Sequence, residues 1–289
     1  MAVNWRIREP QRRAVAARRE RISPCLTICS YCDYYQDMGM PVYQKLQDKA
    51  LELAQSLPRP SFYGNHAALL RRSEDTLLNH ELVRKCRSSL DESQLECAHG
   101  LCHCEAVARD AGVIVLLEAA ELGMSEAEAD PLFVTAIVAG LLHDIKRKEQ
   151  DHAVRGSIES EKILTRIGVG LRERQYIADA IRNHEAFQET FDRDDTAGRL
   201  VSDALYDADK FRWGPENFSV TLWLMVTSRN TPLEALHRTF QEKMKGIEKI
   251  KETFRTVTGK RYGPEFIDQG ITIGNAIYDQ MTILLKRDR

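Results

Sequence analysis

The sequence contains no run of the roughly 18 apolar residues that a membrane-spanning helix needs, so it predicts no membrane span. Its first residues also lack the apolar core of a secretory signal peptide. Seven cysteines are present, an odd number that argues against a complete set of disulfides. We therefore expect a cytoplasmic protein whose thiols are reduced.

An excess of charge of one sign is also missing. The 41 Lys and Arg residues nearly balance the 43 Asp and Glu residues, which argues against a general nucleic-acid or membrane-surface protein. Residues 1–24 are an exception, with seven arginines against two glutamates. This segment could contact RNA or an acidic partner, but a solvated helix face is the simpler interpretation. We expect no nucleic-acid partner for the chain as a whole.

Glycine and proline are sparse, with 16 and 9 residues in a chain of 289. Apolar residues recur mostly at intervals of three and four, which is typical of amphipathic helices. The sequence therefore predicts an all-α protein with helices at about 41–56, 74–89, 101–122, 131–145, 153–166, 171–185, 196–213, 219–227, 232–257 and 263–286. A change in composition near residue 95 predicts a helical N-terminal segment over 1–95 and a compact helical domain over 96–289.

His143 and Asp144 follow a strongly apolar segment. Residues 133–142 include only one polar side chain, that of Thr135, so this helix should be buried on all sides. A buried carboxylate without a partner costs several kcal/mol. A bound divalent metal ion would provide that partner for both side chains. The alternative is a helix that ends at Asp144 and directs both side chains into water.

Two further segments offer candidate ligands. His103, Val107 and Ala111 share one helical face, so His103 should face the core, either as a ligand or as a hydrogen-bonded core histidine. Asp207 and Asp209 lie about 200° apart on a third helix, with its apolar face between them, so periodicity leaves both open. Two imidazoles with two carboxylates suit Fe, Mn, Mg, Ni or Co better than a structural zinc ion.

Five sequence blocks follow one another between residues 98 and 215. They are His103, Gly140–Ile145, Asp151–Gly156, Ala180–His184 and Asp207–Phe211. Together they resemble the HD superfamily of metal-dependent phosphohydrolases. The resemblance implies an HD-domain helical bundle, to which the N-terminal segment would be a helical extension.

The resemblance also implies which residues bind the metal. These are His103, His143, Asp144 and Asp209. It favours Asp209 over Asp207, because the family's ligating aspartate precedes a basic and an apolar residue. It favours His103 over His99, because that ligand usually stands four residues before an apolar helix residue.

The chemistry that the resemblance implies is hydrolysis of a phosphoester or phosphoanhydride, in a small molecule that we expect to be a nucleotide. The metal ion would lower the pKa of a water molecule that attacks phosphorus. Asp144 could also act as a base toward that water, although a carboxylate that ligates a metal is a poor base. The charge of the phosphate would be neutralised by nearby side chains: Lys146, Arg147, Lys210, His152 and His184.

Two of these positions distinguish members of the superfamily. His152 and His184 match positions that bind a second metal or the substrate phosphate in some members. Lys146 and Arg147 stand where many members have glycine followed by lysine. The basic charge is therefore kept while the glycine is absent.

Three cysteines lie close together near the N-terminus. Cys25, Cys29 and Cys32 have the spacing C-x3-C-x2-C, which suits three ligands of a [4Fe–4S] cluster or of a zinc ion. The fourth ligand could be Cys86, Cys97, Cys102 or Cys104, with Cys97 as our working choice. The alternative is a set of reduced thiols without a ligand role.

Two other functions remain open at this point. The chain could be a redox or metal sensor, with an Fe–S or zinc site on an HD scaffold. It could also be a di-iron oxygenase, because a few relatives of the HD fold use paired irons and His152 and His184 could bind the second one. The sequence leaves the oligomeric state and the identity of the substrate open.

Overall fold

The computed structural model describes residues 41–90, 95, 100–191 and 194–287. This part of the chain is helical and contains no strand, so the predicted all-α fold is confirmed. None of its helices is both long and apolar enough to cross a membrane. It contains twelve α-helices: α1 (Pro41–Ser56), α2 (Ser61–Asn65), α3 (Ala67–Asn79), α4 (Glu81–Ser88), α5 (Leu101–Glu121), α6 (Glu126–Leu142), α7 (His152–Arg166), α8 (Leu171–Arg182), α9 (Thr196–Phe211), α10 (Leu222–Ser228), α11 (Leu233–Lys249) and α12 (Val257–Arg287).

Helices α5 and α6 form the centre of the bundle. Both are apolar around most of their circumference, so both can be buried only if other helices surround them. Helix α9 packs against α5 and α6, and α8 packs against α6, α7 and α9. A π-helical turn at Asn217–Thr221 precedes α10, and a 3-10 turn at Ile250–Glu252 follows α11.

Helices α1 to α4 pack against this bundle. Helix α1 lies against α12, α3 lies against α5, and α4 lies against α6. Buried side chains of α1 to α4 belong to the same apolar core as those of α5 and α6. The predicted division into residues 1–95 and 96–289 stays a prediction, because residues 1–40 and most of 91–99 lie outside the described residues.

Two helices begin earlier than the sequence predicts. The predicted starts at 131 and 263 lie beside prolines, which favour the first turn of a helix. Helix α6 instead begins at Glu126 and α12 at Val257, so that Pro131 and Pro264 lie inside them. At α6 the Glu128 carboxylate accepts a hydrogen bond of 2.8 Å from the backbone N–H of Ser125. This capping box sets the start of the helix.

The predicted single helix at 74–89 is also wrong. The chain forms α3 and α4 there, separated by His80 with an extended backbone (φ −70°, ψ 126°). Helix α3 packs mainly against α5, whereas α4 packs against α6. The break therefore lets this part of the chain follow the surface of the central pair.

Two buried carboxylates bind the N-terminus of α12. Asp207 of α9 accepts hydrogen bonds from the backbone N–H groups of Arg255 (2.9 Å) and Thr256 (2.8 Å). Glu118 of α5 accepts two more from backbone N–H groups in the first turn of α12, at 3.2 and 2.7 Å. Carboxylates are favourable here because the first N–H groups of a helix have no partner within it. Helix α12 is thereby attached to both α5 and α9.

Candidate metal centre

His143 and Asp144 follow the last residue of α6. Their side chains are 0% and 2% exposed, so the alternative in which both point into water is wrong. The rings of His103 and His184 lie against the ring of His143, each with its centre 5.2 Å away. The apolar segment thus places two ionisable side chains in the interior, where each needs a hydrogen-bond partner or an opposite charge.

His103 of α5 and Asp209 of α9 meet these two residues. The two Nε2 atoms of His103 and His143 lie 3.2 Å apart. His103 Nε2 lies 3.4 Å from Asp209 Oδ1 and 3.8 Å from Asp144 Oδ2. His143 Nε2 lies 3.8 Å from Asp209 Oδ1 and 3.5 Å from Asp144 Oδ2. We refer to these four residues as the first cluster.

A close contact between helix backbones positions the two histidines. A Cβ atom at Gly140 of α6 would lie only 2.4 Å from Ala108 Cα and 2.6 Å from Ala108 N of α5. Only glycine therefore permits this approach of the two helices. Because His103 and His143 lie within about one and a half turns of the contact, the contact sets the distance between their rings.

The hydrogen bonding of His143 determines which of its ring nitrogens faces the first cluster. Its Nδ1 lies 2.8 Å from the carbonyl oxygen of Gly140. A carbonyl only accepts, so Nδ1 carries the proton and Nε2 directs a lone pair into the first cluster. Burial lowers the pKa of His143 to about 4, against the attraction of Asp144 and Asp209. The imidazole is therefore neutral near pH 7, which is the form that binds metals.

Lys210 holds one oxygen of Asp209. Its buried Nζ donates to Asp209 Oδ2 at 2.6 Å and to the backbone carbonyl of His184 at 2.9 Å. The other oxygen, Oδ1, is the one that faces the two imidazoles. Burial would raise the pKa of Asp209, but the positive charge of Lys210 holds it well below its usual range. Asp209 is thus an anion in the interior.

A second group of three residues adjoins the first cluster. The Nε2 atoms of His152 and His184 lie 3.2 Å apart, and each lies 3.6 Å from Asp144 Oδ1. His184 Nδ1 lies 2.6 Å from the carbonyl oxygen of Ile181, so its Nε2 also presents a lone pair. We refer to Asp144, His152 and His184 as the second cluster.

Asp144 therefore belongs to both clusters, with Oδ2 directed at the first and Oδ1 at the second. Oδ1 is buried and has no hydrogen-bond partner among the described residues. Burial would raise the pKa of Asp144, but the positive charge of Arg147 helps to keep it well below its usual range. A buried anionic oxygen without a hydrogen bond is a ligand atom for a cation.

The spacing of the two imidazoles in the first cluster fits one ion. Nitrogen ligands lie about 2.0–2.1 Å from a transition metal, so two of them at right-angled or tetrahedral positions are about 2.8–3.4 Å apart. The distance of 3.2 Å between His103 Nε2 and His143 Nε2 lies within this range. Buried histidines and aspartates from three helices thus form a group that is compatible with an HD-like metal site.

The two basic residues after Ile145 lie in different surroundings. Arg147 Nη1 donates a hydrogen bond of 2.7 Å to His152 Nε2 and lies 3.8 Å from Asp144 Oδ1. Lys146 Nζ instead lies 3.1 Å from Glu149 Oε1. Of these two cations, the structure brings Arg147 to the second cluster.

Asp207 is held away from the first cluster by its contacts with the start of α12. Burial raises its pKa to about 7, although its hydrogen bonds to Arg255 and Thr256 act in the opposite direction. The structure therefore brings Asp209, and not Asp207, to the two imidazoles. The choice that the HD resemblance favours agrees with this geometry.

The sequence analysis missed Glu185. Its Oε1 lies 3.6 Å from His152 Nδ1, on the side of the ring opposite the second cluster. A carboxylate at this position orients an imidazole and increases its basicity. The sequence offered one signal for this role, because Glu185 directly follows His184, a candidate ligand.

The cysteine site lies largely outside the described residues, which exclude Cys25, Cys29, Cys32 and Cys97 as well as His99. Cys86 and Cys104 are buried, and burial raises the pKa of Cys86 to about 12 and that of Cys104 well above its usual value. In the part of the chain that the structure describes, neither group of three potential ligands contains a cysteine. The Fe–S or zinc site stays a prediction.

No protein-family model, no curated protein and no solved structure matches this chain. Its resemblance to the HD superfamily therefore depends on the sequence blocks and on the geometry of the two clusters.

Proposed function

We propose that this chain is a metal-dependent phosphohydrolase of the HD type, which hydrolyses a phosphoester or phosphoanhydride of a small molecule such as a nucleotide. The observation that carries the proposal is the first cluster, in which two imidazoles and two carboxylates from three helical regions meet in the interior. A guanidinium lies immediately beside it. A divalent ion next to a fixed positive charge is a combination that suits a phosphoryl group.

His103, His143, Asp144 and Asp209 would hold the ion. Two imidazoles and two carboxylates suit a harder divalent ion such as Fe, Mn, Mg, Ni or Co. When bound, this ion would supply a Lewis acid that lowers the pKa of a water molecule. Lys210 would keep Asp209 Oδ2 occupied, so that only Oδ1 is directed at the ion.

The second cluster would bind the phosphate. Arg147 lies at the second cluster, and its side chain is 30% exposed. It can therefore contact a ligand that enters from solvent. His152 and His184 would lie beside the phosphate oxygens, and Lys146 would add positive charge at longer range. Asp144 would act mainly as a ligand, because a carboxylate that ligates a metal is a poor base toward the attacking water.

The test uses the full chain, purified without metal and then loaded with Mn²⁺. Phosphate and pyrophosphate release is measured across nucleoside mono-, di- and triphosphates and simple phosphomonoesters. We expect metal-dependent hydrolysis that is lost in His143→Ala and Asp144→Ala. The matched control is His80→Ala, an exposed histidine at the break between α3 and α4. Absence of hydrolysis across the whole panel, in protein shown to contain Mn²⁺, would rule out the proposal.

A second candidate function is favoured by the position of Asp144 between the two clusters. A carboxylate with Oδ2 beside His103 and His143 and Oδ1 beside His152 and His184 can bridge two ions, as a di-iron oxygenase requires. Measurement of oxygen consumption by iron-loaded protein, together with the number of ions per chain, separates the two functions. The sensor function depends on cysteines outside the described residues and stays a prediction.

A further inference from the structure

Arg147 places a positive charge inside the second cluster. Its Nη1 lies 2.7 Å from His152 Nε2 and 3.8 Å from Asp144 Oδ1. Both atoms are ligands that a second metal ion would need. The guanidinium therefore already interacts with two of the three members of this cluster.

Without the Arg147 cation, the second cluster would contain the three ligand atoms of a metal site. His184 Nε2 presents a lone pair, because its Nδ1 donates to the carbonyl of Ile181. His152 Nε2 must also present a lone pair, because it accepts the hydrogen bond from Arg147. The lone pair that would bind a metal is thus used by a hydrogen bond from a group that carries a positive charge at any physiological pH.

The charges of the two clusters do not favour a second divalent ion. Asp144 and Asp209 are the carboxylates of the two clusters, and Lys210 and Arg147 are the cations that contact them. These two cations already balance both carboxylates, so one divalent ion in the first cluster leaves an excess of positive charge. A second one would add two positive charges beside Arg147, without any further carboxylate in either cluster.

We infer that Arg147 takes the place of a second metal ion, so that the chain binds one ion, at the first cluster, and presents a guanidinium to the substrate phosphate at the second. This inference rests on the proposed function for the role of the phosphate. The number of ions can be measured independently of activity. If it is correct, removal of the guanidinium creates a second metal site from His152, His184 and Asp144 Oδ1.

The experiment counts Mn²⁺ ions in the full chain. Manganese is the probe because thiolates prefer softer ions, so a cysteine site contributes little to the count. Metal-free protein is equilibrated with Mn²⁺ near neutral pH, freed from excess by gel filtration and analysed for Mn per chain. Electron paramagnetic resonance then distinguishes an isolated Mn²⁺ from a coupled pair. We expect one isolated ion in the wild type and in Arg147→Lys, and a coupled pair in Arg147→Ala.

Two further variants serve as controls. Arg155→Ala removes the same charge from an exposed side chain that pairs with Glu149, and it should still bind one ion. Arg147→Ala combined with His152→Ala should return the count from two to one. Circular dichroism checks that each variant is folded.

The outcomes separate this inference from the proposed function. A coupled pair in the wild type would overturn the inference, with no variant needed. One ion in both the wild type and folded Arg147→Ala would overturn it as well, while leaving the proposed function intact. A wild type that binds no Mn²⁺ would overturn the inference, whereas the proposed function would fall only if Fe, Mg, Ni and Co also failed to bind. One isolated ion in the wild type and a pair in Arg147→Ala would support it and exclude the di-iron oxygenase.

Discussion

Replacing Gly140 by alanine tests whether the contact between α5 and α6 sets the geometry of the first cluster. The added Cβ would lie 2.4 Å from Ala108 Cα, whereas nonbonded carbon atoms settle at about 3.5–4.0 Å, so the helices must separate by at least about 1 Å. Such a shift would increase the distance of 3.2 Å between His103 Nε2 and His143 Nε2 to about 4.2 Å. Two nitrogens at about 2.1 Å from one ion can be no farther apart than this.

Both stability and metal affinity should respond. Overpacking of this kind costs about 1–3 kcal/mol, of which the higher helix propensity of alanine offsets about 1 kcal/mol. We expect the affinity for Mn²⁺ to fall by about 10–100-fold, the range that results when the orientation of metal ligands is disturbed. Urea unfolding of the metal-free protein measures the first effect, and titration calorimetry with Mn²⁺ measures the second.

Gly112→Ala is the matched control on the same helix pair. Its added Cβ would meet side-chain atoms of Ile137 and Phe133 at 2.9 Å, and these can shift where a backbone cannot. This variant should lose stability but retain its affinity for Mn²⁺. If Gly140→Ala bound Mn²⁺ as tightly as Gly112→Ala, the reasoning would be refuted.

Three other predictions follow from buried polar contacts. Lys210→Met leaves the buried Asp209 carboxylate without its cation, so the free energy of unfolding without metal should fall by about 3–5 kcal/mol. In urea unfolding, added Mn²⁺ should restore part of this loss. A loss that Mn²⁺ does not change would contradict the role of Asp209. Asp207 has its pKa raised by burial from 3.8 to about 7, so the folded state keeps a proton that the unfolded state has released between these values. Stability should therefore decrease as pH rises from about 4 to about 7, by an amount on the order of 4 kcal/mol; Asp207→Asn should flatten this dependence, and an equal slope in both proteins would refute it. Asn183→Ala removes two hydrogen bonds of 2.8 Å to the backbone of Phe191. This should lower the local stability of the segment between them by about 1–3 kcal/mol. Limited proteolysis should then cut residues 184–190 faster than in the wild type, and equal rates would count against this prediction.

Local sequence pattern was sufficient for part of the site. The burial of His143 and Asp144 follows from the apolar segment before them, because a helix without a polar face has no side to turn toward solvent. His103 follows from its place on an apolar face of α5. In each case the information lies within about ten residues of the side chain.

Other parts of the site depend on contacts that no local pattern contains. Asp207 differs from Asp209 because it meets Arg255 and Thr256, which lie nearly fifty residues farther along the chain. Arg147 reaches His152 through a turn that includes Asp151 with a positive φ of 54°, a conformation that an aspartate adopts only occasionally. Helical periodicity carries no information about either contact.

The attachment of α12 bears on how small a working fragment of this protein can be. The sequence blocks that resemble the HD superfamily end near residue 215, which suggests cutting the chain there. Such a cut would remove the backbone donors that neutralise Glu118 and Asp207, one on each of the helices that supply His103 and Asp209. Glu118 and Asp207 would then be buried carboxylates without these hydrogen-bond donors. They lie on the two helices whose relative position determines the first cluster. The shortest chain able to form the site therefore extends through Val257 and into the last helix.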